Sequence, residues 1–269
     1  MKILAIFLFA LLTPLNLSCQ TFDEWVDLSF KYLSDGDLPA AEAALVSAMR
    51  QEPSNPLNTM LLTNLGTIQR RQGKYDEALI SYTAAMGNAP ESITLLSARA
   101  ELFTEMNRPE NAITDYSAIL QMNNQEDALY RRGLLYLQIK NYGSAQADFE
   151  RILEINPKTY YGRVGIVSLC KLRGEYDEAE RIYFYLMEKF PEQADLYAGR
   201  AELYLLMNRP GRAMTDINRA IRLQGENPNP YLYIIRSRIK EMQFEKKGAE
   251  EDRIKALESG YRINLDMKK

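Results

Sequence analysis

The chain has 269 residues, of which 26% are charged and 46% hydrophobic, and a formal net charge of −3. That balance excludes a disordered chain and one mostly embedded in a membrane, and it leaves no basic footprint for nucleic acid. Histidine is absent altogether, which removes the commonest general base and the commonest metal ligand, so neither a cofactor nor a metal is expected.

The first element differs from all that follow. One lysine precedes an apolar run from Ile3 to Leu12, then Thr13-Pro14 and a small polar region ending in Leu17-Ser18-Cys19. This is the anatomy of a secretory signal peptide over residues 1–19, too short for a spanning helix, and it predicts export. Ser-Cys at the end of an apolar run is similar to the lipobox of bacterial lipoproteins. That reading makes Cys19 the lipidated first residue of the mature protein and the membrane anchor, with no span in the mature chain. Asn16 and Leu17 depart from the lipobox pattern, and ordinary cleavage near Ser18 to Gln20 is the competing expectation. The periplasm or outer envelope is the expected location under either. Beyond this segment Cys170 is the remaining cysteine, so no internal disulfide framework can form.

From residue 20 onward the chain repeats itself. Ala41, Ala78, Ala112, Ala145, Ala179, Ala213 and Ala249 are separated by 37, 34, 33, 34, 34 and 36 residues. Turn residues precede most of them: Gly36, Gly73, Asn107, Asn141, Gly174 and Asn208. Several blocks close on proline, at Pro53, Pro90, Pro157 and Pro191. Apolar residues recur at helical spacing on both sides of each turn. Gly73 suits the left-handed conformation that ends a helix, and Asn107 and Asn208 suit it less well. Pro109 and Pro210 then suit the first turn of the helix that follows. Small residues at Gly66, Ala100, Gly133 and Ala201 allow paired helices to approach closely. The pattern predicts about seven helical hairpins starting near residues 22, 59, 93, 126, 160, 194 and 230. Together they form an all-α array over residues 20–261, followed by a C-terminal tail at 262–269.

The units resemble the tetratricopeptide repeat family. The first carries Trp25, Leu28, Tyr32, Gly36, Ala41, Leu45, Ala48 and Pro53, and the second Leu62, Leu65, Gly66, Gly73, Tyr75, Ala78, Tyr82, Ala85 and Pro90. The fourth and fifth follow with Gly133, Tyr136, Ala145, Phe149 and Pro157, then Gly174, Tyr176, Ala179, Tyr183 and Pro191. The seventh is the most degenerate. The resemblance implies a right-handed superhelical solenoid with a concave groove that holds a peptide or protein partner. It is consistent with elementary packing, since one hairpin cannot bury its apolar face and neighbours must stack. Tyr32, Tyr82, Phe103, Tyr116, Tyr136, Phe149, Tyr183 and Tyr204 are then core residues, and Cys170 a small one among them.

A charged pattern runs through the same register. Residues 200–217 repeat residues 99–116 at eleven of eighteen positions. Arg99, Arg132, Arg200 and Arg236 share one place in the first helix of units three, four, six and seven. Asp115, Asp148, Asp216 and Asp252 share one place in the second helix of those units. Units one, two and five lack both. Because the two letters occur together or not at all, the expectation is a structural salt bridge within each of the four hairpins, not an anion-binding groove.

The groove follows by family analogy. First-helix positions facing away from the second helix include Arg70, Arg71, Glu101, Tyr130, Tyr161, Lys171, Glu202 and Tyr231, and these are the expected partner-binding residues, the tyrosines foremost. Repeats that clamp a C-terminal carboxylate place Lys and Asn on one first helix and more donors on the next. Here Asn64 stands without such company, and that partner class is disfavoured. No phosphate loop, zinc spacing or nucleophile elbow is present, and no catalytic residue is expected. The alternative to a scaffold is a structural array that self-assembles by stacking its ends.

Overall fold

The computed structural model describes residues 20–262. Among these every regular element is a helix, fourteen in all. They divide into two compact units at Met106/Asn107. The first unit holds α1 (Phe22–Ser34), α2 (Leu38–Gln51), α3 (Asn58–Arg71), α4 (Tyr75–Asn88) and α5 (Ile93–Glu105). The second holds α6 (Pro109–Met122), α7 (Glu126–Gln138), α8 (Tyr142–Ile155), α9 (Tyr160–Arg173), α10 (Tyr176–Lys189), α11 (Ala194–Leu206), α12 (Pro210–Gln224), α13 (Tyr231–Met242) and α14 (Lys246–Glu258). Twelve of the helices pair as hairpins inside one unit: α1–α2 and α3–α4 in the first, α7–α8, α9–α10, α11–α12 and α13–α14 in the second.

The turns explain the period. In each of the seven repeats the residue five places before the anchor alanine has positive φ: Gly36, Gly73, Asn107, Lys140, Gly174, Asn208 and Phe244. This corrects the expectation for the fourth turn. The sequence marks the turn at Asn141, but the left-handed residue stands one place earlier, at Lys140, with φ 59°. Asn141 instead caps α8, its side-chain oxygen accepting from Ser144 N at 3.2 Å. The place in the register decides which residue turns, even where the side chain is poorly suited. Phe244, at φ 63° and 88% exposed, is the clearest case. Pro109 and Pro210 open α6 and α12, where a missing N–H costs nothing.

The anchor alanines are buried because helices cross there. In the first unit Ala41, Leu45 and Ala48 pack with Leu61, Leu65 and Ile68, and Ala78, Tyr82 and Ala85 with Leu95 and Leu102. In the second, Phe149 fills the space left by two glycines. A Cβ at Gly133 or Gly165 would stand 2.4 or 2.3 Å from its ring. Of the expected core aromatics, Tyr82, Phe103, Tyr116, Phe149, Tyr183 and Tyr204 are buried. Tyr32 and Tyr136 are half-buried at the margin. No helix among the described residues is long and apolar enough to cross a membrane. The apolar run and Cys19 lie outside the described residues.

Candidate functional site

The Arg and Asp of the duplicated stretch meet within hairpins of the second unit. Arg132 on α7 donates from Nε to Asp148 Oδ2 at 2.9 Å and from Nη2 to Oδ1 at 2.6 Å. Arg200 on α11 grips Asp216 the same way, at 2.7 and 2.9 Å. Arg236 on α13 donates from Nε to Asp252 at 2.8 Å, and Lys240 Nζ reaches the same carboxylate at 2.8 Å. The three aspartates are buried. Burial works to raise the Asp252 carboxyl, but hydrogen bonds from Arg236 and Lys240 outweigh it and hold the group below its ordinary value. The bond to Asp148 raises the Arg132 guanidinium, against burial. The Arg200 guanidinium also lies over the rings of Phe184, at 4.9 Å, and Tyr204, at 5.6 Å. Asp115 is buried on α6 in the second unit, while Arg99 lies over the Phe103 ring on α5 in the first.

A second set of clasps, between successive hairpins, was not foreseen. Glu42 on α2 accepts from Gln69 Nε2 at 3.1 Å, Gln72 Nε2 at 2.8 Å and Lys74 Nζ at 2.7 Å. Glu180 on α10 accepts from the Tyr204 hydroxyl at 2.8 Å, and Arg209 and Arg212 lie at 3.4 and 3.3 Å. Both glutamates immediately follow an anchor alanine. That placement was a readable signal, because the residue beside the helix crossing reaches the turn of the next hairpin.

The expected groove residues separate into two constellations. In the first unit Arg70 on α3 is held by Glu101 at 3.0 Å and Glu105 at 2.9 Å, both on α5. Arg71 beside it is exposed. In the second unit Lys171 on α9 pairs with Glu202 on α11 at 3.0 Å, and the Tyr231 hydroxyl on α13 donates to the other oxygen of Glu202 at 2.8 Å. Most of the charges expected to face a partner therefore satisfy one another.

The tyrosines form a platform. Tyr161 lies 5.2 Å from Tyr130 and 5.7 Å from Tyr160, and Tyr160 meets Phe190 edge-on at 5.8 Å. Tyr161 is half exposed and its neighbours are less so. Burial pushes the Tyr160 hydroxyl up to about 12 and raises that of Tyr130, so both phenols stay neutral at ordinary pH. Adjacent to Lys171 and Glu202, a cleft of about 640 Å³ opens between α11 and α13, with Leu205, Leu206 and Met242 on its walls. Cys170 is buried in the α9–α10 core, and burial raises its thiol to about 11, so it is protonated and unsuited to nucleophilic chemistry. Among the described residues no group of three or more carboxylate or cysteine side chains could hold a metal ion. What the arrangement offers is contact area: rigid aromatic rings and an apolar cleft among self-neutralised charges.

Comparison with known proteins gives these features a context. Two tetratricopeptide repeat profiles match residues 31–93 and 126–159. A crystal structure of a tetratricopeptide repeat protein from Parabacteroides merdae is 47% identical, with a TM-score of 0.81; the match covers 91% of this chain and 95% of that one. Yeast Tom70 shares the fold at 16% identity and a TM-score of 0.70, over 88% of this chain and 53% of its own. Among curated proteins, DnaJ homolog subfamily C member 3 of Gallus gallus is 23% identical over 61% of this chain and 36% of its own length. The human counterpart is 25% identical over 60% and 35%. The chain thus spans about a third of the length of these curated relatives.

Proposed function

The chain belongs to the tetratricopeptide repeat family, and from that premise we propose that it is a non-catalytic scaffold that holds a peptide or protein partner on its second unit. The observation that carries this reading is the Tyr130–Tyr161 platform, a half-exposed ring held in place by two others. Tyrosine supplies large contact area while losing little conformational entropy, and rings fixed in advance bind without a further ordering cost. In the same unit Tyr231, Lys171 and Glu202 form one hydrogen-bonded group that presents a fixed polar surface. In the first unit Arg70 is taken up by Glu101 and Glu105, and that unit lies outside the proposed contact.

The scaffold works at the cell envelope in this reading, supported by the signal-like run before residue 20 and by Ser18-Cys19. Intact-mass measurement on protein recovered from its own cells tests the placement. A mature chain starting at a lipid-modified Cys19 supports the anchor. An unmodified start at or after Ser18 supports simple secretion, and an uncleaved chain contradicts export.

The binding reading is tested by capture from solubilised envelope with wild type, Tyr161→Ser and Tyr130→Ala/Tyr161→Ala, the single variant guarding against loss of fold. A protein retained by wild type and lost by both variants supports the platform, whereas equal capture moves the site elsewhere. Self-assembly has one feature in its favour, the exposed Ile254 and Leu257 on the last helix. It requires a solution mass above the monomer that falls on Ile254→Lys/Leu257→Lys.

A further inference from the structure

Comparison along the repeat register exposes a charge without a counterpart. Eleven residues before the anchor alanine stand Glu101 in α5 and Glu202 in α11. Eight before it, in the preceding hairpin, stand Arg70 and Lys171. Both combinations close as ion pairs at 3.0 Å. One hairpin further along the second unit, the same two places hold Leu205 and Arg238. The acid has become a base, and its basic neighbour has become a leucine. Arg238 is exposed and, among the described residues, forms no ion pair.

Arg238 lies on the wall of the cleft between α11 and α13. The two carboxylates that share this cleft are already engaged: Glu202 by Lys171 and the Tyr231 hydroxyl, Glu241 by Arg253. Arg253 is itself shared with Glu250, and among the described residues Arg238 is the charged group of the cleft lining that no ion pair engages. Leu205 and Leu206 on α11, and Met242 one turn along α13 from Arg238, present aliphatic surface, with Leu206 51% exposed. A guanidinium accepts a carboxylate in a two-pronged geometry that a solvated lysine does not impose. The volume, about 640 Å³, suits one or two side chains of an extended segment, not a folded domain.

We propose that this cleft is a specificity pocket for an extended peptide segment carrying Asp or Glu next to Leu, Ile or Met. Arg238 takes the carboxylate, and Leu205, Leu206 and Met242 take the aliphatic neighbour. The assignment rests on the reading of the second unit as the binding unit and names the chemistry it selects. The register explains the selectivity: the array neutralises its own groove wherever a Glu stands at this place, and here it leaves the matching acid to be supplied by the partner.

The test is a random heptapeptide display library, presented as internal segments, panned on the whole chain and on Arg238→Glu. Wild type is expected to enrich an acidic residue adjacent to an aliphatic one, and Arg238→Glu to enrich Lys or Arg in the acid's place. A synthetic winner should bind Arg238→Ala roughly tenfold more weakly, as should its Asp→Asn or Glu→Gln version on wild type, one charge-assisted pair being lost. Because Arg238 is exposed, these variants keep the fold, and circular dichroism checks that they do. Winners without an acid, or binding indifferent to Arg238→Ala, overturn this pocket while leaving the scaffold standing. No enrichment on either chain overturns both. The chain's own end carries Leu265-Asp266-Met267. If a chain ending at Arg262 binds the winner tenfold more tightly, the cleft belongs to that end and not to a partner.

Discussion

In the first unit, Arg70 is held by two carboxylates from the next first helix and its charge is fully answered. In the second, Lys171 has one such partner, Glu202, which also accepts the Tyr231 hydroxyl, and the next step of the ladder ends on an unanswered Arg238. Hairpin clasps differ as well. The second unit ties three hairpins with buried Arg–Asp pairs. The α3–α4 hairpin of the first instead carries Ser81, donating to Gln69 at 2.7 Å, with Glu42 reaching over from α2. Buried Arg–Asp pairs thus tie the two helices of a hairpin in the second unit, whereas the ion pairs of the first unit run between successive hairpins. The unit with the buried Arg–Asp clasps also has the aromatic platform and the cleft between α11 and α13, as a preformed binding surface needs.

The comparison can be broken most forcefully at a clasp. Asp216→Ala leaves the Arg200 guanidinium half-enclosed without its acceptor and is expected to cost about 3 kcal/mol in chemical denaturation. Arg200→Leu with Asp216→Ala should recover part of that, because the stranded charge goes with its partner. Strict additivity in the cycle would mean the pair is not coupled. Second in size is Gly133→Ala, which drives a methyl into Phe149 and should cost about 2 kcal/mol. A smaller loss, about 1 kcal/mol, is expected for Glu42→Ala, since its bonds lie nearer solvent.

Much of this is legible in the sequence. The alanine period gave the helical hairpins because only a small residue fits where two helices cross. The Arg and Asp letters could be paired because they come and go together. The turn at Lys140 was hidden, since nothing about lysine favours positive φ and Asn141 beside it offered a stronger local signal. The mutual pairing of Lys171, Glu202 and Tyr231 was hidden for another reason. These residues come from three helices 60 residues apart in sequence, and their contact depends on how successive hairpins stack.

Two finer predictions sharpen the contrast. Burial works to raise Glu42, but the bonds from Lys74, Gln69 and Gln72 prevail and lower it, as those from Arg236 and Lys240 lower Asp252. Stability from both is therefore fully present above the unfolded carboxylate value, about 4, and is lost as pH falls through the lower folded values. Melting temperature followed into acid should drop less steeply for Asp252→Asn than for wild type, and an unchanged slope would deny the linkage. Smallest is Phe244→Gly. Removing a left-handed side-chain residue gains about 1–2 kcal/mol, and the added freedom of the unfolded chain takes back about half to one. The net expectation is a slight stabilisation, about 0.5 kcal/mol, and a loss would mean that the exposed ring has a contact of its own.

The measurement closest to the central claim is hydrogen exchange on the chain with and without its captured partner or selected peptide. New protection is expected in α7, α9, α11 and α13, with α3 and α5 unchanged. Protection confined to α3 and α5, or spread evenly over both units, would contradict it.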